Sequence, residues 1–158
     1  MTGLLSNFPL IAALLGVFSA QFLKIPIAFF HTRQVKWQLF FTTGGMPSSH
    51  SASVTSLATA VGVQEGLDTA LFAIAAMFAI IVMYDAKGIR WHAGEQATVL
   101  NDLVEDFKKH VKETAQLQED SEKTKELKEM LGHRPSEVFF GALLGIVQTL
   151  VLSAVFFS

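Results

Sequence analysis

The chain has 158 residues, 51% hydrophobic and 16% charged, with a formal net charge of −2 and no cysteine. That balance is too apolar for an average soluble domain, and a slightly negative chain with no basic face free of acidic neighbours argues against general nucleic-acid binding. The lack of cysteine excludes disulfides and thiol chemistry and leaves the redox compartment undetermined.

The apolar residues are concentrated in the first thirty positions, around 71–84 and at the C-terminus, while most of the charge lies between Asp85 and Glu137. This pattern predicts an integral membrane protein of a single domain, 1–158, with a polar helical insertion at about 86–134. Met1 to Asn7 carries no positive charge and the apolar run continues to Phe30, so it reads as a retained span rather than a signal peptide.

Phe8 to Phe30 is long enough to cross a bilayer, because about 20 apolar residues at 1.5 Å rise cover the hydrocarbon core. Lys24 lies inside it, and a lysine there costs about 2.5–3.5 kcal/mol on insertion scales. Lys24 is therefore expected to face a polar site, with snorkelling to the interface as the alternative. His31 to Met46 is turn-rich and reads as a loop or interfacial segment, with Trp37 near the headgroups.

Gly44-Gly45-Met46-Pro47-Ser48-Ser49-His50-Ser51 then combines turn-permitting glycines with a helix start. The N-terminus of a helix offers unsatisfied N–H groups and partial positive charge, so an oxyanion, most naturally a phosphate, is a fitting guest. The plainer alternative is a serine cap with an incidental histidine. From Ser48 to about Val63 the helix is rich in small and hydroxylated residues, which suits close packing against other helices and not lipid.

Gln64 to Asp68 forms a turn, with Asp68 or Thr69 capping an uncharged span from Ala70 to Tyr84 that Gly88 stops. From about Ala93 to Gln116, Leu100, Leu103, Val104, Phe107 and Val111 recur at amphipathic helical spacing opposite Glu105, Asp106, Lys108, Lys109 and Lys112. Such a helix faces water while lying on the protein or on the membrane surface. A polar break and a short helix ending at Gly132 follow. A last span runs from Glu137 or Val138 to Phe157.

The predicted fold is thus all-α, a polytopic helical bundle of about four membrane segments near 8–30, 49–63, 69–84 and 137–157. Alternate crossing puts loop 31–48 and insertion 85–136 on one face, bringing His50, Arg90 and His133 to the same membrane boundary. Eleven of the twelve Lys and Arg residues, all but Lys24, lie in those two loops. The positive-inside rule makes that face cytoplasmic, in a multi-pass cell-membrane protein with both termini on the opposite face.

Pro47-Ser48-Ser49-His50 resembles the Pro-Ser-Gly-His motif of the type 2 phosphatidic acid phosphatases, relatives of the vanadium haloperoxidases. His133-Arg134-Pro135-Ser136-Glu137 is similar to that superfamily's last motif, a histidine followed after three residues by an acid. The whole chain is similar to a divergent branch of bacterial and plant membrane proteins, marked by Gly-Gly-Met-Pro-Ser-Ser-His-Ser-Ala and Asp-Ala-x-Gly-x-Arg. The resemblance implies a membrane-embedded, metal-independent phosphatase that needs no cofactor, sits in the lipid bilayer and hydrolyses a lipid phosphate or diphosphate through a phosphohistidine. By position it makes His133 the nucleophile, Glu137 its orienting partner and His50 the general acid. It assigns phosphate oxygens to Ser48, which matches the family's serine, and to the helix N-terminal amides, and Ser49 beside them is a further phosphate-binding candidate.

The chain departs from that pattern in three places. The family's Ser-Arg ahead of the last histidine is replaced by Glu126-Leu127, so Arg90 is the expected source of the guanidinium. The family's first motif is absent in its usual form, with Lys24 and Arg33 the nearest substitute and Lys36 a rival. Glu137 stands where aspartate is usual. Metal binding, the competing use of two histidines, lacks His-x3-His or paired-carboxylate spacing. The alternative functions are a catalytically inactive protein that binds phosphorylated lipid, or an assembly partner docking through the 93–116 helix. A homo-oligomer stays open.

Overall fold

The computed structural model describes residues 3, 6–33, 37, 40, 45–115 and 134–157, with the backbone alone at 31–32, 89–93 and 111–115. Among these the secondary structure is entirely helical: α1 Phe8–Thr32, α2 Ser49–Glu65, α3 Ala70–Lys87, α4 Ile89–Ala115 and α5 Pro135–Phe156. Three stretches, Phe8–Phe30, Ala70–Lys87 and Pro135–Phe156, are long and apolar enough to cross a membrane. Their outward faces carry exposed Phe22, Ile74 and Val151, as expected of surfaces solvated by hydrocarbon.

Local chemistry sets the helix ends. Asn7 caps α1 through its side-chain oxygen, which accepts from Leu10 N at 3.1 Å. Thr69 caps α3 in the same way, accepting from Phe72 N at 3.3 Å. Pro135 occupies the first turn of α5, where a missing N–H costs nothing. One boundary differs from the sequence reading. Gly88 keeps right-handed helical dihedrals and donates to Tyr84 O at 2.9 Å, so the chain passes from α3 into α4 with no loop. Glycine permits a stop but does not enforce one.

The polar helix α2 is the centre of the bundle, packed against α1, α3 and α5. Ser51, Ala52, Ser56 and Ala60 are fully buried. Small residues on its neighbours allow this approach. A β-carbon on Gly141 would collide with the Ser48 carbonyl, and one on Gly145 with Thr55 Oγ1 and the Ala52 carbonyl. One on Gly16 would stand 2.7 Å from Ser56 Oγ. Backbones this close bring hydroxyls within reach of carbonyls across the interface. Thr55 Oγ1 donates to Ala142 O at 3.1 Å and Ser56 Oγ to Gly145 O at 3.2 Å. Gln148 Nε2 then donates to Ser56 Oγ at 3.2 Å, while its Oε1 accepts from Ser19 Oγ of α1.

Contacts at the two ends give the topology. At one end, Phe8 of α1 meets the rings of Phe156 and Phe157 at 5.1 Å each, above Ala12, Ala60 and Leu152. At the other, Lys24 of α1 lies beside Gly45, and Ser48 N donates to Glu137 O at 2.9 Å. Hence α1 runs antiparallel to α2 and α5, and α3 returns to the Lys24 end. Helix α4 leaves from that end and touches only α3 among the described elements. Its Leu100, Leu103, Val104 and Phe107 are exposed, while Gly94 and Ala97 are buried.

Candidate functional site

The first turn of α2 is built for tight convergence. Gly45 has φ +92°, a conformation glycine adopts without steric cost. Pro47 follows a cis peptide and stands ahead of the cap residue Ser48. Ser48 Oγ accepts from Ser51 N at 3.3 Å, satisfying one orphan donor of the helix start. Ser48 and Ser51 are fully buried and Ser49 nearly so, while His50 is half-buried. Ser51 Oγ is buried without a hydrogen-bond partner among the described residues.

The start of α5 is fastened to this turn. Glu137 O accepts from Ser48 N, as above, and Glu137 Oε2 accepts from Arg134 N at 3.3 Å. The acid of the last motif therefore closes its own helix N-terminus with the side-chain half of a capping box, while Glu137 N donates to the Arg134 backbone carbonyl at 2.9 Å. Val138 and Gly141 are buried against α2 just beyond it.

Lys24 completes the cluster from α1 and is only 2% exposed. A β-carbon on Gly45 would sit 3.9 Å from Lys24 Cδ, so the lysine stem lies along that turn. Its ammonium is within electrostatic reach of the Glu137 carboxylate. A buried cation, a helix N-terminus and a serine-lined turn thus share one end of the bundle. Together they suit a tetrahedral oxyanion.

Of the residues singled out in the sequence, Lys24, Ser48, Ser49, His50 and Glu137 belong to this end. Arg33 is exposed at the left-handed C-cap of α1, nine residues, or about 14 Å of helix, beyond Lys24. The side chain of Arg90 and the whole of His133 lie outside the described residues, as do Gly44 and Lys36. Gln21, one turn before Lys24, was not singled out, although its Oε1 is buried without a partner among the described residues. A polar residue at i−3 from an intramembrane lysine was the available signal.

The divergent PAP2 family matches residues 5–148, a stretch that holds both motif regions and all the helices between them. The chain belongs to the divergent PAP2 family. It is also similar to the "uncharacterized membrane protein YuiD" of Bacillus subtilis (strain 168), 54% identical over 155 residues, which cover 97% of this chain and 98% of that protein. No solved structure matches it. Membership of the divergent PAP2 family and the three apolar helices make this a membrane protein of helical-bundle type.

Proposed function

We propose that this divergent PAP2 protein is a metal-independent phosphatase acting on a lipid phosphate or diphosphate. The hydrogen bond from Ser48 N to Glu137 O is the observation that carries the reading, because it ties together two motif regions 89 positions apart. Neutral imidazole of His133 attacks phosphorus, the bond to the lipid oxygen breaks, and that oxygen takes its electron pair and a proton from His50 imidazolium. Water then attacks the phosphohistidine and gives its proton to His50. The P–N bond breaks toward His133, and inorganic phosphate leaves.

In this scheme Ser48, Ser49, the α2 amides and Lys24 hold phosphate oxygens, Arg90 supplies a guanidinium, and Glu137 orients the His133 ring. Arg33, exposed at the end of α1, meets the phosphate at the mouth of the site. A lipid substrate follows from a polar cluster located where three apolar helices end, since the tail stays in hydrocarbon while the phosphate reaches the cluster. The test uses purified protein in detergent with EDTA present. Phosphate release from long-chain alkyl phosphates is expected, with loss of at least 10²-fold in His133→Ala and in His50→Ala. Undiminished release in both variants overturns the mechanism. A protein that binds the lipid without turnover, unaffected by His133→Ala, is instead an inactive binder.

A further inference from the structure

Helices α1 and α3 flank α2, and no Cα atom of one comes within 8 Å of a Cα atom of the other. This leaves a cleft between them with α2 as its floor. Its far half is a cavity of about 660 Å³, walled by Leu10, Leu57, Val61, Leu71, Ile74 and Phe78.

Helical register connects this cavity to the candidate site. On α2, His50, Leu57, Val61 and Gln64 follow one another at +7, +11 and +14, which places them on one face. On α1, Leu10, Val17, Gln21 and Lys24 repeat the same spacing. The two helices are antiparallel, so both faces border one cleft with His50 and Lys24 at one end and Gln64 and Leu10 at the other. Fourteen residues at 1.5 Å give a groove of about 21 Å, longer than half of the ~30 Å hydrocarbon core. Its floor is a single helix wide.

The geometry points to this α1–α3 cleft as the seat of one long hydrocarbon chain whose phosphate lies at His50 and Lys24, so that the preferred ligand is a single-chain lipid phosphate. This rests on the phosphatase reading for the site itself, but the groove is testable by binding alone. The groove is polar only toward its ends and apolar between, it lies within membrane-spanning helices, and it runs into the cationic turn. A tail anchored by its phosphate has all three requirements met.

The probe is a long-chain alkyl phosphate with a diazirine near its tail end, photolysed with the full-length protein in detergent and mapped by mass spectrometry. Adducts are expected on peptides containing Leu10, Val61 or Ile74. Val61→Trp and, on the exposed wall, Ile74→Trp are expected to cut labelling and to raise KM for the long-chain phosphate about tenfold, leaving a short water-soluble phosphate ester unaffected. Labelling of the cleft without any hydrolysis keeps the groove and removes the phosphatase reading. Adducts spread evenly over the outer faces of α1, α3 and α5 and insensitive to both substitutions overturn the groove. So does disulfide formation between copies carrying Ile74→Cys, which places a second protein at the cleft.

Discussion

At the residue scale, Lys24 is a lysine buried inside an apolar helix long enough to span a membrane. A lysine within a span is worth about 2.5–3.5 kcal/mol against insertion, and its 2% exposure shows that it does not escape to solvent. Lys24→Met is therefore expected to leave thermal stability in detergent unchanged or raised, while phosphate release falls about 10²-fold, the usual loss for a group that stabilises developing anionic charge. A stability loss with unchanged turnover would make the lysine structural. Ser48 is the cap of α2 and, in the proposed scheme, also an oxyanion donor, so Ser48→Ala is expected to cost about 1 kcal/mol through the cap alone. The helix-start chemistry of Ser48 and Thr69 was legible in the sequence because caps are local, whereas α5 begins at Pro135, two residues before the expected start at Glu137. The partner of Ser48 N was not, since a backbone bond to Glu137 depends on how two distant helices meet.

At the element scale, α2 is too polar for lipid and is enclosed by helices that are too apolar for water. Each solves the other's solvation problem. The interface depends on glycine: a side chain at Gly141 would push α5 away from the turn at Ser48, where Ser51 Cβ would also stand only 3.1 Å away. Gly141→Ala is expected to destabilise the protein by about 1–3 kcal/mol, the range for overpacking, and to reduce phosphate release by separating Glu137 from Ser48. Gly3→Ala, where nothing lies within 4 Å of the added carbon, is the neutral control in thermal denaturation. Hydropathy alone located α1, α3 and α5, and the hydroxyl-rich composition of α2 announced a packed helix. The glycines signalled close approach without naming the neighbour. The passage through Gly88 was missed because Asp85-Ala86-Lys87-Gly88 has the composition of a helix end, whereas the backbone there continues in helical dihedrals.

At the scale of the whole molecule, the end of α1 and the starts of the parallel helices α2 and α5 gather Lys24, the α2 turn and Glu137 at one end. Alternation predicts that His50, Arg90 and His133 share this end; His50 lies there, while the Arg90 side chain and His133 are outside the described residues. The gap between α1 and α3 was not readable, because nothing in either sequence segment states how far apart two apolar helices stand. We propose from the charge distribution that the site end faces the cytoplasm, and a cysteine-free chain makes this direct to check. In intact cells, Lys109→Cys is expected to resist a membrane-impermeant maleimide that labels Asp68→Cys, and the reverse pattern would invert the molecule. The central claim, covalent catalysis on histidine, is tested most directly by rapidly quenching the protein with a 32P-labelled long-chain alkyl phosphate in EDTA and locating the label. The account predicts an acid-labile, base-stable phosphoryl group on His133 that is absent from His133→Ala. Turnover with no labelled protein, or with label on a carboxylate, would contradict it.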